Sequence, residues 1–244
     1  MKRAIRCIVT LAAAAAVALA AGCASGARPF VYEANPPKPG GERFPLRVAV
    51  LAFKDGTEDF AKRGSILNPD GLMYNTAKSG WLPAELWAKT LADDMSASGV
   101  YRSVRFLYDL SELRDEDFHI EGTLKKAYVP GVPAARPTEY AFALRALRRT
   151  DKEPFWEKEV ARSFLVPGNR YDGCGASVQC MVDRSHEDLN RVMREMFAEA
   201  REDLEKKLAS VSGSGAGGAA SGKAGSQPAG ESVEQTIDKI LKGK

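Results

Sequence analysis

Apolar and polar positions along the chain change period several times, and each change marks an element. Leu46-Arg47-Val48-Ala49-Val50-Leu51-Ala52-Phe53 is nearly continuously apolar, is rich in β-branched residues, and is ended by Asp55-Gly56. Such a run predicts a central strand buried on both faces. From Pro83 to Ser98 the period becomes helical, with Leu86, Trp87, Leu91 and Met95 on one side, Pro83 in the first turn and Gly99 after the end. Val100 to Leu107 then predicts a second strand, parallel to the first if the helix is a crossover. Three runs alternate with period two: Phe118 to Val129, Glu139 to Arg148 and Phe155 to Val166. They predict an antiparallel meander. Ser185-His186-Glu187-Asp188 reads as a helix start in capping-box style, with Asp in place of the usual Glu or Gln. Leu189, Val192, Met196, Phe197, Ala200, Leu204 and Leu208 continue one apolar stripe from it.

The pattern predicts an α/β fold: one mixed sheet of about five strands, a crossover helix, and a long C-terminal helix packed on the sheet. Residues 46–209 make up this domain. Residues 54–80 carry Gly56, Gly64, Pro69, Gly71 and Gly80 without clear period, and are expected to be a long loop and the first candidate for a functional surface. Before the domain, residues 23–45 are rich in Pro and Gly and read as an extended tether. After it, residues 210–231 are almost wholly Gly, Ala and Ser, a flexible linker. Residues 232–244 repeat the helical pattern weakly through Val233, Ile237, Ile240 and Leu241. A segment this short is not a stable helix alone and needs a partner, a membrane or the domain itself to order it.

The N-terminus changes the picture most. Lys2, Arg3 and Arg6 precede an uncharged run from Ile8 to Ala21, which is too short for the roughly 20 residues of a permanent membrane span and suits a secretory leader. Leu19-Ala20-Ala21-Gly22-Cys23 resembles the bacterial lipobox, which implies removal of residues 1–22 and lipidation of Cys23 (palmitate among its acyl chains). Position 24 is Ala and not the Asp that retains such lipoproteins in the inner membrane, so the resemblance implies an outer-membrane anchor with the domain facing the periplasm. Lys plus Arg number 35 against 32 Asp plus Glu, and without the three leader charges the balance is zero. Nucleic acid, which demands a concentrated basic surplus, is not an expected partner.

Four cysteines are present, of which Cys7 lies in the leader and Cys23 at the lipobox. Cys174 and Cys180, flanked by Gly173 and Gly175, are expected to form a disulfide in an oxidising compartment. A metal or redox site is the weaker alternative, because zinc sites use closer cysteines and a second ligand pair, and His119 and His186 are the chain's two histidines.

Other constellations carry little chemistry. Gly217-x4-Gly222-Lys223 lacks the Ser or Thr a phosphate loop needs and falls in the linker. His119 is expected on a strand facing solvent, and His186 at a helix start. Asp93-Asp94 and Asp115-Glu116-Asp117 read as solvated faces, since adjacent carboxylates do not converge across a cleft. No nucleophile elbow is present, no cofactor is implied, and the chain is not expected to be an enzyme. Trp87 is expected in the core. Tyr74 and Trp81, beside the long loop, are candidate partner contacts, as is Ile237 in the tail.

Ser79-Gly80-Trp81-Leu82-Pro83-Ala84-Glu85-Leu86-Trp87-Ala88-Lys89-Thr90-Leu91-Ala92-Asp93-Asp94-Met95, followed by Ser98-Gly99-Val100-Tyr101-Arg102-Ser103-Val104, resembles the ABC-type transport auxiliary lipoproteins. Asp117-Phe118-His119-Ile120-Glu121-Gly122-Thr123-Leu124 and Pro154-Phe155-Trp156-Glu157-Lys158 are similar to strands of the same family. The resemblance spans about residues 46–208. Comparable patterns occur in lipoprotein activators of penicillin-binding proteins and in curli-type assembly lipoproteins. The Cys174–Cys180 loop and the Gly-rich tail depart from the auxiliary pattern. What the resemblance implies is a binding protein of an envelope transport complex moving lipid or another hydrophobic solute between membranes. The alternative it implies is a regulator or scaffold of peptidoglycan synthesis or envelope assembly.

Overall fold

A computed structural model describes residues 29–37, 43–58, 73–130 and 136–214. They divide into two compact units: residues 29–31 with 171–188, and residues 32–170 with those from 189 onward. Cys23, the leader, residues 215–231 of the expected linker and Ile237 lie outside the described residues, whereas residues 210–214, expected to open that linker, end the helix Val178–Ser214 instead.

The larger unit is built on an α/β sheet. Its strands are β1 (Phe44–Leu51), β2 (Lys54–Asp55), β3 (Met73–Asn75), β4 (Tyr101–Leu107), β5 (Phe118–Pro130), β6 (Pro137–Arg148) and β7 (Trp156–Leu165). Helix α1 (Ala84–Ala97) joins β3 to β4, and helix α2 (Val178–Ser214) follows β7. The main order is β4-β1-β5-β6-β7, with β2 and β3 each pairing with β5. β4 and β5 flank β1 in parallel, as a crossover through α1 dictates, and β5-β6-β7 is an antiparallel meander. The expected sheet is thus present and is enlarged to seven strands. The two additions come from the stretch read as a long loop: β2 extends the line of β1 along β5, and β3 runs antiparallel to β5 beyond the register shift at Leu124/Lys126.

One face of this sheet is apolar because alternate residues of each strand point the same way. Phe118, Ile120 and Leu124 of β5, Tyr140, Phe142 and Leu144 of β6, and Trp156 and Val160 of β7 are buried there. Trp87 of α1 is fully buried, with ring centroids 5.3 Å from Tyr140, 6.1 Å from Phe142 and 6.3 Å from Phe197 of α2. Both helices therefore cover the same face. α2 is further tied to β7 by Trp156 Nε1 donating to Asp203 at 2.8 Å and by Arg162 with Glu199 at 2.7 Å. Gly99, at φ 66°, ends α1 in a left-handed conformation that glycine adopts without a Cβ clash. Gly122 has another role: a Cβ there would overlap the buried Phe53 ring, so the strand surface must stay bare for that ring to lie on it.

On the opposite face, Ala49, Leu51 and Leu107 form a small cluster with Leu113. Here the readings of solvated acids and of a solvent-facing histidine are corrected. Glu116 is buried against Arg105, and Asp117 accepts the Arg47 backbone N–H at 2.6 Å. His119 is 6% exposed, with Nε2 at 3.6 Å from Glu121 Oε1.

The smaller unit contains the Cys174–Cys180 disulfide, with Cα atoms 5.4 Å apart. The capping-box reading of Ser185 is overturned there. α2 starts at Val178, seven residues earlier, because Ser177 Oγ accepts the N–H of Cys180 and so serves as the cap. Ser185 sits inside the helix, its hydroxyl donating to the Met181 carbonyl at 2.9 Å. His186 is likewise within the helix, edge-on to Phe30 at 5.4 Å. Tyr171 and Ser185 share a hydroxyl hydrogen bond at 3.0 Å.

Candidate functional site

Of the expected partner contacts, Tyr74 and Trp81 bracket one turn. Both are exposed, Tyr74 by 50% and Trp81 by 40%. Tyr74 stands in the middle of β3, opposite Val129 of β5. The turn that leads from it to Trp81 is held by its own polar groups. Asn75 Oδ1 accepts the N–H groups of Ala77 and Lys78 at 3.1 and 3.2 Å, an Asx arrangement that substitutes a side chain for backbone pairing. Its Nδ2 donates to Thr57 Oγ1 at 3.1 Å and to the Glu58 carbonyl. Thr76 uses both backbone N–H and hydroxyl on the Ala127 carbonyl, each at 2.9 Å. Leu82 N–H returns to the Thr76 carbonyl at 3.0 Å, closing the turn ahead of α1.

A second brace comes from the end of β2. Asp55 accepts from Thr57 N–H at 2.9 Å and Oγ1 at 2.5 Å, and pairs with Lys78 Nζ at 2.7 Å. Burial alone would raise the Asp55 pKa. Hydrogen bonds from Lys78 and Thr57 outweigh that and hold it below the ordinary carboxylate value. Asp55, Thr57, Asn75 and Lys78 were not singled out by sequence reasoning. The available signal was the pair of Asx-type positions, Asp55 and Asn75, at the two ends of a stretch that otherwise lacked period.

The arrangement is a turn whose backbone is held by hydrogen bonds and which leaves a large aromatic side chain exposed at each end. Its backbone is already ordered, so contact with a partner costs little conformational entropy, and large aromatic side chains supply area per ordered residue.

The face of β5-β6-β7 turned away from both helices is different. A shallow trough of about 530 Å³ is lined by Lys54, Glu121, Lys125, Arg145, Glu157 and Glu159. Arg145 Nε donates to Glu121 Oε2 at 2.9 Å, Lys126 pairs with Glu139 at 3.1 Å, and Lys125 lies 3.9 Å from Glu159. Positive and negative groups neutralise each other across the strands, which suits a solvated sheet face more than an ion site. Among the described residues, no group of three or more His, Cys, Asp or Glu is arranged to hold a metal ion.

A third feature lies in the stretch read as a tether. Residues Tyr32–Asn35 are docked on the larger unit, around Asp94 of α1. Asp94 is fully buried, and its Oδ1 accepts from Tyr32 Oη at 2.8 Å and from Asn35 N and Nδ2, both at 2.9 Å. Arg201 of α2, 4% exposed, donates to Asp94 Oδ2 at 3.0 Å. Reading Asp93-Asp94 as a solvated pair is therefore wrong for Asp94. Burial, then the Asp94 carboxylate, pushes the Tyr32 phenol well above its ordinary pKa.

No protein family and no curated protein matches the chain in sequence. Among solved structures, it is similar to a DUF330 protein from Xanthomonas campestris, with 8% identity, a TM-score of 0.47, and coverage of 76% of this chain and 99% of that one. It is also similar to a PelC dodecamer protein of Paraburkholderia phytofirmans, with 11% identity, a TM-score of 0.39, and coverage of 73% and 94%. The lipoprotein GNA1162 of Neisseria meningitidis matches with 10% identity, a TM-score of 0.25, and coverage of 61% and 98%. With TM-scores under 0.5, none of these likenesses speaks to function. Among the described residues, no helix is long and apolar enough to cross a membrane.

Proposed function

We propose that this chain is a lipid-anchored accessory protein of an envelope transport complex, acting by binding and not by catalysis. Its domain faces the periplasm from the outer membrane, held there through Cys23. The observation that carries the binding role is the braced turn displaying Tyr74 and Trp81. The leader, the lipobox-like Leu19 to Cys23 and the resemblance of residues 79–104 to auxiliary lipoproteins support the setting and the class of partner. On this reading the partner moves lipid or another hydrophobic solute between membranes.

The test is in-cell photo-crosslinking of the lipidated chain with probes at Trp81 and Ile237, followed by mass spectrometry. Capture of transporter or lipid-carrier subunits at Trp81 is the expected result, and recovery of no envelope transporter component removes the reading. The Gly-rich residues 210–231 and the amphipathic segment after them favour a second reading, a scaffold of peptidoglycan synthesis. Capture of cell-wall synthases or peptidoglycan fragments at Ile237 would move the function there.

A further inference from the structure

We infer that Tyr32–Asn35 is a strap that shortens the membrane leash, so that the domain works close to its own membrane and against a partner held in that membrane. This inference rests on the reading of Cys23 as the lipid-bearing residue. The strap is bound through both backbone and side-chain groups. Besides the three donors on Asp94 Oδ1, Glu33 N–H donates to Asn190 Oδ1 at 2.8 Å and Asn35 Nδ2 to the Arg194 carbonyl at 3.0 Å. Glu33 pairs with Arg194 at 3.6 Å, and the Tyr32 ring lies 5.6 Å from that of Phe197. Asp94 Oδ1 is a fully buried acceptor, and these contacts take all three of its donors from the strap. Undocking would give up three hydrogen bonds to a charged acceptor and the Tyr32–Phe197 ring contact, which is why a segment of tether-like composition stays in place.

The consequence is geometric. Nine residue steps separate Cys23 from Tyr32 and twenty-one separate it from Phe44, the first residue of β1. However the intervening residues run, the shorter path spans at most about 30 Å and the longer one about 70 Å. Docking the strap removes more than half of the reach. A domain on the shorter leash meets components of the same membrane at high effective concentration, and that concentration falls as a leash lengthens.

The lipidated full chain is reconstituted in phosphatidylethanolamine and phosphatidylglycerol vesicles carrying a headgroup-labelled acceptor lipid, with a donor fluorophore introduced at Lys152. Energy transfer is compared for the parent, for Tyr32→Ala/Asn35→Ala, and for a twelve-residue Gly-Ser insertion after residue 28, a length set so that it adds about 40 Å of chain. The expected result is a loss of transfer in the double variant that matches the loss on insertion. Unchanged transfer in the double variant, with the insertion still lowering it, overturns the strap. Asp94→Leu/Arg201→Met, which removes the acceptor together with its counter-charge, provides a second route that leaves the strap residues in place: hydrogen exchange of residues 30–36 should rise to that of an unstructured chain, and continued protection counts against the inference. Failure of the anchoring reading looks different, since the parent would then neither float with vesicles nor lose that association on Cys23→Ser. The partner is read by the Trp81 crosslink: a component of the same membrane supports the inference, and one confined to the opposite membrane overturns it.

Discussion

Replacing Arg201 by Met tests the energetic logic of the domain most sharply. Arg201 and Asp94 are 4% and 0% exposed and 3.0 Å apart, so the change leaves a carboxylate inside the protein without its counter-charge. Removing one partner of a buried pair costs about 3–5 kcal/mol. For a domain of this size, each kcal/mol lowers the melting temperature by roughly 2–4 °C, giving a fall of about 6–20 °C. Met keeps most of the packing volume of the Arg stem, so the loss reports the charge more than a cavity. The assay is thermal unfolding followed by circular dichroism, on the chain without residues 1–22 and with Cys23→Ser. The double variant Asp94→Leu/Arg201→Met separates two effects. It removes both buried charges, which in other buried pairs is neutral or stabilising, but it also takes the acceptor from Tyr32 Oη and Asn35. Melting should recover most of the way while residues 30–36 lose hydrogen-exchange protection. A single variant that melts within about 2 °C of the parent would refute the assignment of Asp94–Arg201 as an energetically significant pair.

Gly122→Ala should destabilise by about 1–3 kcal/mol, because the new Cβ meets the buried Phe53 ring and that ring packs in turn on Phe142, 6.2 Å away; chemical denaturation measures it. His119 has a folded pKa below its ordinary 6.5 because burial disfavours the imidazolium and outweighs the pull of Glu121. The unfolded chain therefore takes up the proton first as pH falls, so the contribution of neutral His119 is full above about 6.5 and is lost progressively below it. His119→Gln should flatten stability against pH in that window, and an unchanged slope would show that another group sets it. Reduction, or Cys174→Ser/Cys180→Ser, should cost about 2 kcal/mol for so short a loop and appear as faster hydrogen exchange within Tyr171–Asp188. Asn75→Ala removes the brace of the aromatic turn and should weaken Trp81 crosslinking while leaving Trp81 itself intact, read as crosslink yield per molecule.

How much of this was legible depends on whether the signal is local. The strands and α1 carry their own period: Val48, Val50, Ile120 and Phe142 are apolar because they face helices, and the alternation is visible without knowing the partner strand. β2 and β3 are two and three residues long, too short to show a period, and exist because β5 runs past the end of β1 and offers unpaired backbone to both. Asp94 and Glu116 were misread for a related reason. A carboxylate beside another carboxylate looks solvated until the fold brings it a basic group from another element, Arg201 from 107 residues downstream for Asp94 and Arg105 from 11 residues upstream for Glu116. The strap is the furthest case. Nothing in its Pro-rich surroundings marks Tyr32 and Asn35 as packed, because what fixes them is the buried acceptor 62 and 59 residues downstream. A segment that looks free by composition is thus held by a core residue, and what decides that it packs lies inside the fold and not in its own sequence.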